Sequence, residues 1–229
     1  MTGPLRKRLD AARLYIVLDR DVRDYEALFE ILRETVRAGA GMIQLRDKNG
    51  STRDILDACD RILGIIRGQV PFIVNDRIDI ALAVRADGVH LGQADMPLRR
   101  ARALVGQEML IGISCQTLEQ ALEAQADGAD YIGFGSVFHT QTKPERRPMD
   151  LKVWHSLNHQ IKIPVFAIGG ITSENLPRLT PYGIKRVAVT RAVCLANAID
   201  RATRELIDAL DVSRNNEGQE SGRGGVFKR

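Results

Sequence analysis

Short apolar runs alternate along this chain with longer amphipathic stretches. The runs 14-LYIVL-18, 42-MIQL-45, 72-FIVN-75, 88-GVHL-91, 110-LIGI-113, 130-DYIGF-134, 165-VFAI-168 and 186-RVAV-189 predict eight strands. The stretch 25-YEALFEILRETVRA-38 places Leu28, Ile31, Leu32 and Val36 at helical spacing before Gly39 ends it. Similar spacing predicts helices over 52–67, 77–84, 97–105, 118–126, 150–157, 173–179 and 192–210. The phrases 84-VRADGVHLG-92 and 125-QADGADYIGFG-135 repeat one device, a helix that ends at Ala-Asp-Gly and feeds straight into a strand. Strict alternation of strand and helix predicts the α/β class and, with eight of each, a (β/α)8 TIM barrel forming a single domain. An open doubly wound sheet fits less well. The segment after the first strand, 19-DRDVRD-24, lacks the Gly-rich turn of that fold.

Composition narrows the class of protein without changing the fold. With 229 residues and 44% hydrophobic content, the chain can bury a full core. The barrel is expected over 13–211, with 1–12 as an N-terminal extension and the polar, Gly-rich 212–229 as a disordered tail. The formal charge of +4 lies partly in the two ends, and aromatic content is 5%, with no basic stripe interleaved with aromatics. Nucleic acid is therefore not an expected partner. No apolar run reaches the roughly 18 residues of a membrane span, and no signal peptide precedes Leu14. Cys59, Cys115 and Cys194 are far apart, without metal-type spacing. A cytoplasmic setting is expected, with small molecules as partners and room for a homo-oligomer.

The barrel gives meaning to polar residues at the ends of the runs. Active sites of such barrels lie at the C-terminal ends of the strands. In 44-QLRDK-48, Gln44, Arg46 and Lys48 occupy alternate positions and so share a face. Asn75 and Asp76 follow the third run, His90 and Asp95 the fourth, Ser114 the fifth, and Thr140, Thr142 and Lys143 the sixth. Arg offers a planar fork and Lys a mobile point charge, a mixture suited to phosphate oxygens. Two carboxylates, Asp76 and Asp95, in a site that favours anions point to Mg²⁺, which binds through one or two carboxylates plus substrate phosphates. A diphosphate is the implied ligand. Gly169-Gly170-Ile171 and Thr190 suggest a second anion site after strands 7 and 8. Each residue alone has an ordinary alternative: Asn75 and Asp76 suit a helix cap, Asp95 a helix start before Pro97, and His90 a packed histidine.

The ordered set 44-QLRDK-48, 74-VNDRIDIALAVRADGVHLGQADMP-97, 112-GIS-114, 128-GADYIGFGSVFHTQTKP-144 and 164-PVFAIGGIT-172 resembles the thiamine-phosphate synthase family over about residues 13–210. The resemblance implies a Mg²⁺-dependent transferase of thiamine biosynthesis. Such an enzyme couples 4-amino-2-methyl-5-hydroxymethylpyrimidine diphosphate with a thiazole phosphate and releases diphosphate. It implies that Arg46, Lys48, Asn75 and Lys143 hold the diphosphate and that Asp76 and Asp95 hold Mg²⁺. Gln44 then lies near the pyrimidine, and Ser114 near the reacting centre, with Ser114 and Lys143 as catalytic groups. Thr140, Thr142, Gly170, Val189 and Thr190 would receive the thiazole phosphate. The chain departs from the pattern at three points. Gln116 stands where a His is common, Thr190-Arg191 end the last strand, and 149-MDL-151 follows the loop. Two alternatives share the barrel: a thiazole tautomerase, whose proton transfer calls for a His near position 116, and a non-catalytic sensor of phosphorylated ligands.

Overall fold

The computed structural model describes residues 3–142 and 147–220. Eight parallel strands close into a barrel in chain order, each hydrogen-bonded to its neighbours and the last to the first. They are β1 (Leu14–Asp19), β2 (Met42–Arg46), β3 (Phe72–Asn75), β4 (Gly88–Leu91), β5 (Leu110–Cys115), β6 (Tyr131–Phe134), β7 (Val165–Ile168) and β8 (Val187–Val189). All eight sequence runs lie on these strands, and the differences are one or two residues at the ends.

The surrounding helices follow the amphipathic stretches where local signals are strong. Asp24 caps α2 (Tyr25–Ala38) by accepting the Ala27 amide at 2.9 Å, and Gly39 ends it at φ +105°, where glycine alone is unstrained. Its buried stripe of Leu28, Ile31, Leu32 and Thr35 faces the barrel. Ser51 caps α3 (Thr52–Ile66) in the same way. Next come α4 (Ile78–Ala83), α5 (Leu98–Val105), α6 (Leu118–Ala126) and α7 (Val153–Gln160).

Three expectations need correction. The helix expected at 173–179 is a 3₁₀ helix, Leu176–Tyr182, because Pro177 and Pro181 cannot supply the amides of an α-helical ladder. The single helix expected at 192–210 is two, α8 (Arg191–Cys194) and α9 (Ile199–Glu220). The backbone of 212–220 is therefore helical where a disordered tail was expected; residues 221–229 lie outside the described residues.

The N-terminal extension is also structured. Helix α1 (Pro4–Ala11) sits across the base of the barrel, where Leu9 and Ala12 pack on Tyr15, Met42, Ile73, Leu110, Tyr131 and Phe166. Arg6 reaches the carboxylate of Asp130, which directly precedes β6, and the Gln107 carbonyl before β5. Inside the barrel, the rings of Tyr15, Tyr131 and Phe166 meet edge to face with centroids 5.4–5.8 Å apart. This aromatic layer separates the base from the polar residues at the other end.

Candidate active site

Residues at the C-terminal ends of all the strands enclose a cavity of about 480 Å³. Period-two alternation explains β2. Met42 joins the aromatic layer, Gln44 and Arg46 stand above it in the cavity wall, and Ile43 and Leu45 face the helices. Asn75, Ser114, Thr140, Thr142, Gly170, Val189 and Thr190 also line the cavity. Lys48 does not share the strand face with Gln44 and Arg46, because β2 ends at Arg46. Its Nζ lies 3.1 Å from Asp76 Oδ2 beside the cavity. Lys143 lies outside the described residues.

Arg46 is held by two residues that sequence patterns did not single out. Its Nη1 donates to both carboxylate oxygens of Asp19, at 2.8 and 2.9 Å, and to Asp21 at 2.9 Å. Asp19, the last residue of β1, is 1% exposed, so this is a pair almost withdrawn from water. The two carboxylates outweigh the cost of burying the guanidinium and push its pKa up. Arg46 Nε and Nη2 have no hydrogen-bond partner among the described residues, which leaves one edge of the fork for a ligand.

Asp76 and Asp95 form an acidic pair at the rim. Asp76 adopts φ +60°, a left-handed conformation that Asp tolerates better than most residues, and its amide donates to the His90 carbonyl at 2.9 Å. The Gly92 amide donates to Asp95 Oδ2 at 2.7 Å. Burial and the adjoining Asp76 carboxylate push the Asp95 pKa up against that bond and the Lys48 charge. A carboxylate, Asp95, whose proton affinity an adjoining carboxylate raises suits a hard cation, and Mg²⁺ accepts such a pair when phosphate oxygens and water complete its shell. No group of three or more His, Cys, Asp or Glu side chains forms a metal site among the described residues. A Mg²⁺ ion at Asp76 and Asp95 therefore fits only as one shared with a ligand.

On the opposite wall, the loop after β7 is shaped for close approach. Gly169 and Gly170 have φ of +107° and +64°. The Asn175 side chain ties the loop down by donating to the Gly170 carbonyl at 2.8 Å and accepting from the Thr172 amide at 2.9 Å. The Gly170 and Ile171 amides donate to no group among the described residues, and both residues line the cavity. A Cβ on Gly170 would lie 2.2 Å from the His139 carbonyl oxygen. Gly170→Ala is expected to raise KM for a phosphorylated ligand at this wall by about tenfold, the loss of roughly one charge-assisted hydrogen bond. Steady-state kinetics with each ligand varied in turn would check it, since an unchanged KM removes the loop from binding.

Arg191, the first residue of α8, lines the cavity beside Thr190, so this departure from the family pattern adds a cation to the site. Gln116 is exposed and does not line the cavity; its amide donates to Gln120 Oε1.

A parallel barrel with polar and charged side chains gathered at its strand ends defines the class of (β/α)8-barrel enzymes. Within that class, the family model described as thiamine monophosphate synthase matches residues 14–193. The thiamine-phosphate synthase of Clostridium acetobutylicum is 39% identical over 199 residues, covering 86% of this chain and 94% of that protein. The thiamine-phosphate synthase of Syntrophomonas wolfei is 43% identical over 195 residues, covering 84% and 93%. Among solved structures, a thiamine phosphate pyrophosphorylase from Pyrococcus furiosus superposes with a TM-score of 0.80 at 38% identity, covering 91% of this chain and 98% of that one. The chain belongs to the thiamine monophosphate synthase family.

Proposed function

We propose that this enzyme joins 4-amino-2-methyl-5-hydroxymethylpyrimidine diphosphate to a thiazole phosphate, giving thiamine phosphate and diphosphate. The observation that carries the reading is one cavity with anion-holding groups on two walls. Arg46 and Asn75 are on one side, and the Gly170–Ile171 amides with Thr190 and Arg191 are on the other. Two phosphorylated ligands can thus lie in one enclosure with their rings between them.

In the reaction, the bond from the pyrimidine's methylene carbon to diphosphate breaks, and its electron pair leaves on the phosphate oxygen. The thiazole nitrogen's lone pair then forms the new carbon–nitrogen bond. The electron-rich aminopyrimidine disperses the charge that develops at the methylene, so no protein nucleophile is required. Arg46, Lys48 and Asn75 orient the leaving diphosphate, Lys143 is assigned to the same group, and Ser114 sits near the reacting centre. Thr140 and Thr142, on the loop after β6, close over the thiazole phosphate and limit water.

Electrostatics support a role for Mg²⁺. Around the cavity mouth, Arg46, Lys48 and Arg191 stand with Asp19, Asp21, Asp76 and Asp95, three cations against four carboxylates among the described residues. Cations partnered in this way attract a diphosphate less than free ones would. Mg²⁺ held by Asp76 and Asp95 would supply the missing positive charge and stabilise the departing phosphate.

The tautomerase alternative is weakened by Gln116, whose position lies outside the cavity and whose side chain is not an acid–base group. The cytoplasmic setting rests on three buried, unpaired cysteines, each with its pKa pushed up to about 12 by burial. It also agrees with the lack of any helix, among the described residues, long and apolar enough to cross a membrane.

The decisive experiment is diphosphate release from the pyrimidine diphosphate, with and without thiazole phosphate, in Mg²⁺ and in EDTA. Release that needs both the second substrate and Mg²⁺, with thiamine phosphate formed, is expected. Ligand binding by folded protein with no diphosphate released would instead favour the sensor.

A further inference from the structure

Five polar side chains form one continuous line across the barrel interior beneath the cavity. Gln44 Nε2, on β2, donates to the Tyr15 hydroxyl on β1. That hydroxyl is 2.9 Å from the Tyr131 hydroxyl on β6, which is 3.1 Å from His90 Nδ1 on β4. His90 Nε2 is in turn 2.9 Å from Ser114 Oγ on β5. Tyr15 is 2% exposed, Tyr131 0% and His90 8%. Burial pushes both phenol pKa values up, so each keeps its proton.

The backbone makes room for this line. A Cβ on Gly112 would lie 2.1 Å from Tyr131 Cζ and 2.5 Å from His90 Nδ1. One on Gly133 would lie 3.2 Å from His90 Cε1. Real Cβ atoms do not approach so closely at Gly112, so glycine there is a condition of the arrangement.

A line of this kind has a direction. A phenol carries one proton, and an amide nitrogen only donates. With Gln44 donating to Tyr15, the order that gives every buried hydroxyl proton an acceptor has Tyr15 donating to Tyr131 and Tyr131 donating to His90 Nδ1. That tautomer of the ring carries its proton on Nε2 and donates it to Ser114 Oγ. The Ser114 proton is then the one turned toward the cavity, and Gln44 keeps its carbonyl oxygen for a ligand. Both residues line the cavity. Reversal would require the amide to turn over and every proton to move together, and each bond in such a chain polarises the next.

We propose that Tyr15 and Tyr131 are positioning residues whose hydroxyls fix the hydrogen-bond polarity of the site, making Gln44 an acceptor and Ser114 a donor toward the ligand's ring. The ligand class selected is a heteroaromatic ring that offers a donor amino group and an acceptor ring nitrogen. A 4-aminopyrimidine has both. Its 4-oxo counterpart replaces the amino donor with an acceptor, which then opposes the Gln44 oxygen. This inference rests on the proposed function in taking the ring to be that of the pyrimidine diphosphate.

The test is calorimetric binding of the 4-amino and 4-oxo pyrimidine diphosphates, in Mg²⁺, to the full chain and to its Tyr131→Phe and Tyr15→Phe variants. The full chain is expected to favour the amino compound by about a hundredfold, because the wrong isomer leaves a buried polar group unpaired. Each variant is expected to narrow that ratio about tenfold, since cutting the line frees the Gln44 amide to turn. A purely structural tyrosine would lower thermal stability and leave the ratio unchanged. An unchanged ratio in a folded variant, or no preference in the unaltered chain, overturns the proposal. If Tyr131→Phe does not fold, Tyr15→Phe decides. Binding is read without turnover, so absence of thiamine phosphate would count against the coupling reaction and leave this result standing.

Discussion

Arg46→Ala is expected to lower kcat/KM for the pyrimidine diphosphate by about 10³-fold, the scale set by removing one preorganised donor from a developing negative charge. The same substitution should also weaken the fold. Asp19, 1% exposed, is left without the guanidinium that meets both its oxygens. Loss of one partner from a pair this withdrawn costs about 3 kcal/mol. The two effects separate in the double variant Arg46→Ala/Asp19→Asn. Neutralising Asp19 should return most of the stability, read as a denaturant midpoint, without restoring turnover. Full activity in Arg46→Ala would exclude Arg46 from holding the leaving group. A stable single variant would show that Asp19 finds another partner.

The acidic rim should give the second large effect. On the proposed reading, removing either carboxylate would leave a shared Mg²⁺ with a single protein ligand. Asp76→Ala and Asp95→Asn are each expected to raise the half-saturating Mg²⁺ concentration by at least about 10- to 100-fold, the range already seen when only an outer partner of a metal ligand is lost. Saturating Mg²⁺ should then recover part of the rate. A titration that superposes on that of the unaltered enzyme would dissociate this pair from the metal. Asp76→Ala also introduces strain, because Ala tolerates φ +60° less well than Asp. Asp95→Asn, which keeps its backbone unchanged, is the cleaner comparison.

The fold was legible because strand and helix periods alternate without interruption, and because Gly39 marks the end of a helix; the Asp24 and Ser51 caps emerged only with the structure. The pattern failed where a tertiary or proline constraint decided the outcome. Pro177 and Pro181 tightened one helix to 3₁₀ geometry. Helix α1 escaped notice because its sequence is mostly charged, and only Leu9 and the following Ala12 mark the face that meets the barrel. At the site, most of the residues proposed to touch a ligand stood out as polar groups at the ends of apolar runs. Those that hold them did not. Tyr15 and Tyr131 read as core aromatics, and His90 as a packed histidine, since nothing in a linear sequence shows that three strands bring their polar atoms together. Asp19 carried a faint signal, a carboxylate ending an apolar run, which the barrel rule could have placed beside Arg46. Lys48 was misplaced because alternation was extended two residues past the end of β2.

The helix across the base and the aromatic layer above it make the barrel a vessel open at one end. Both substrates and both products must then share a single doorway, and the order of traffic becomes part of the catalytic cycle. On the proposed seating of the pyrimidine at Gln44, that ring lies deepest and would arrive before its partner occupies the doorway. Diphosphate, released near the rim, can depart while the larger product still fills the interior.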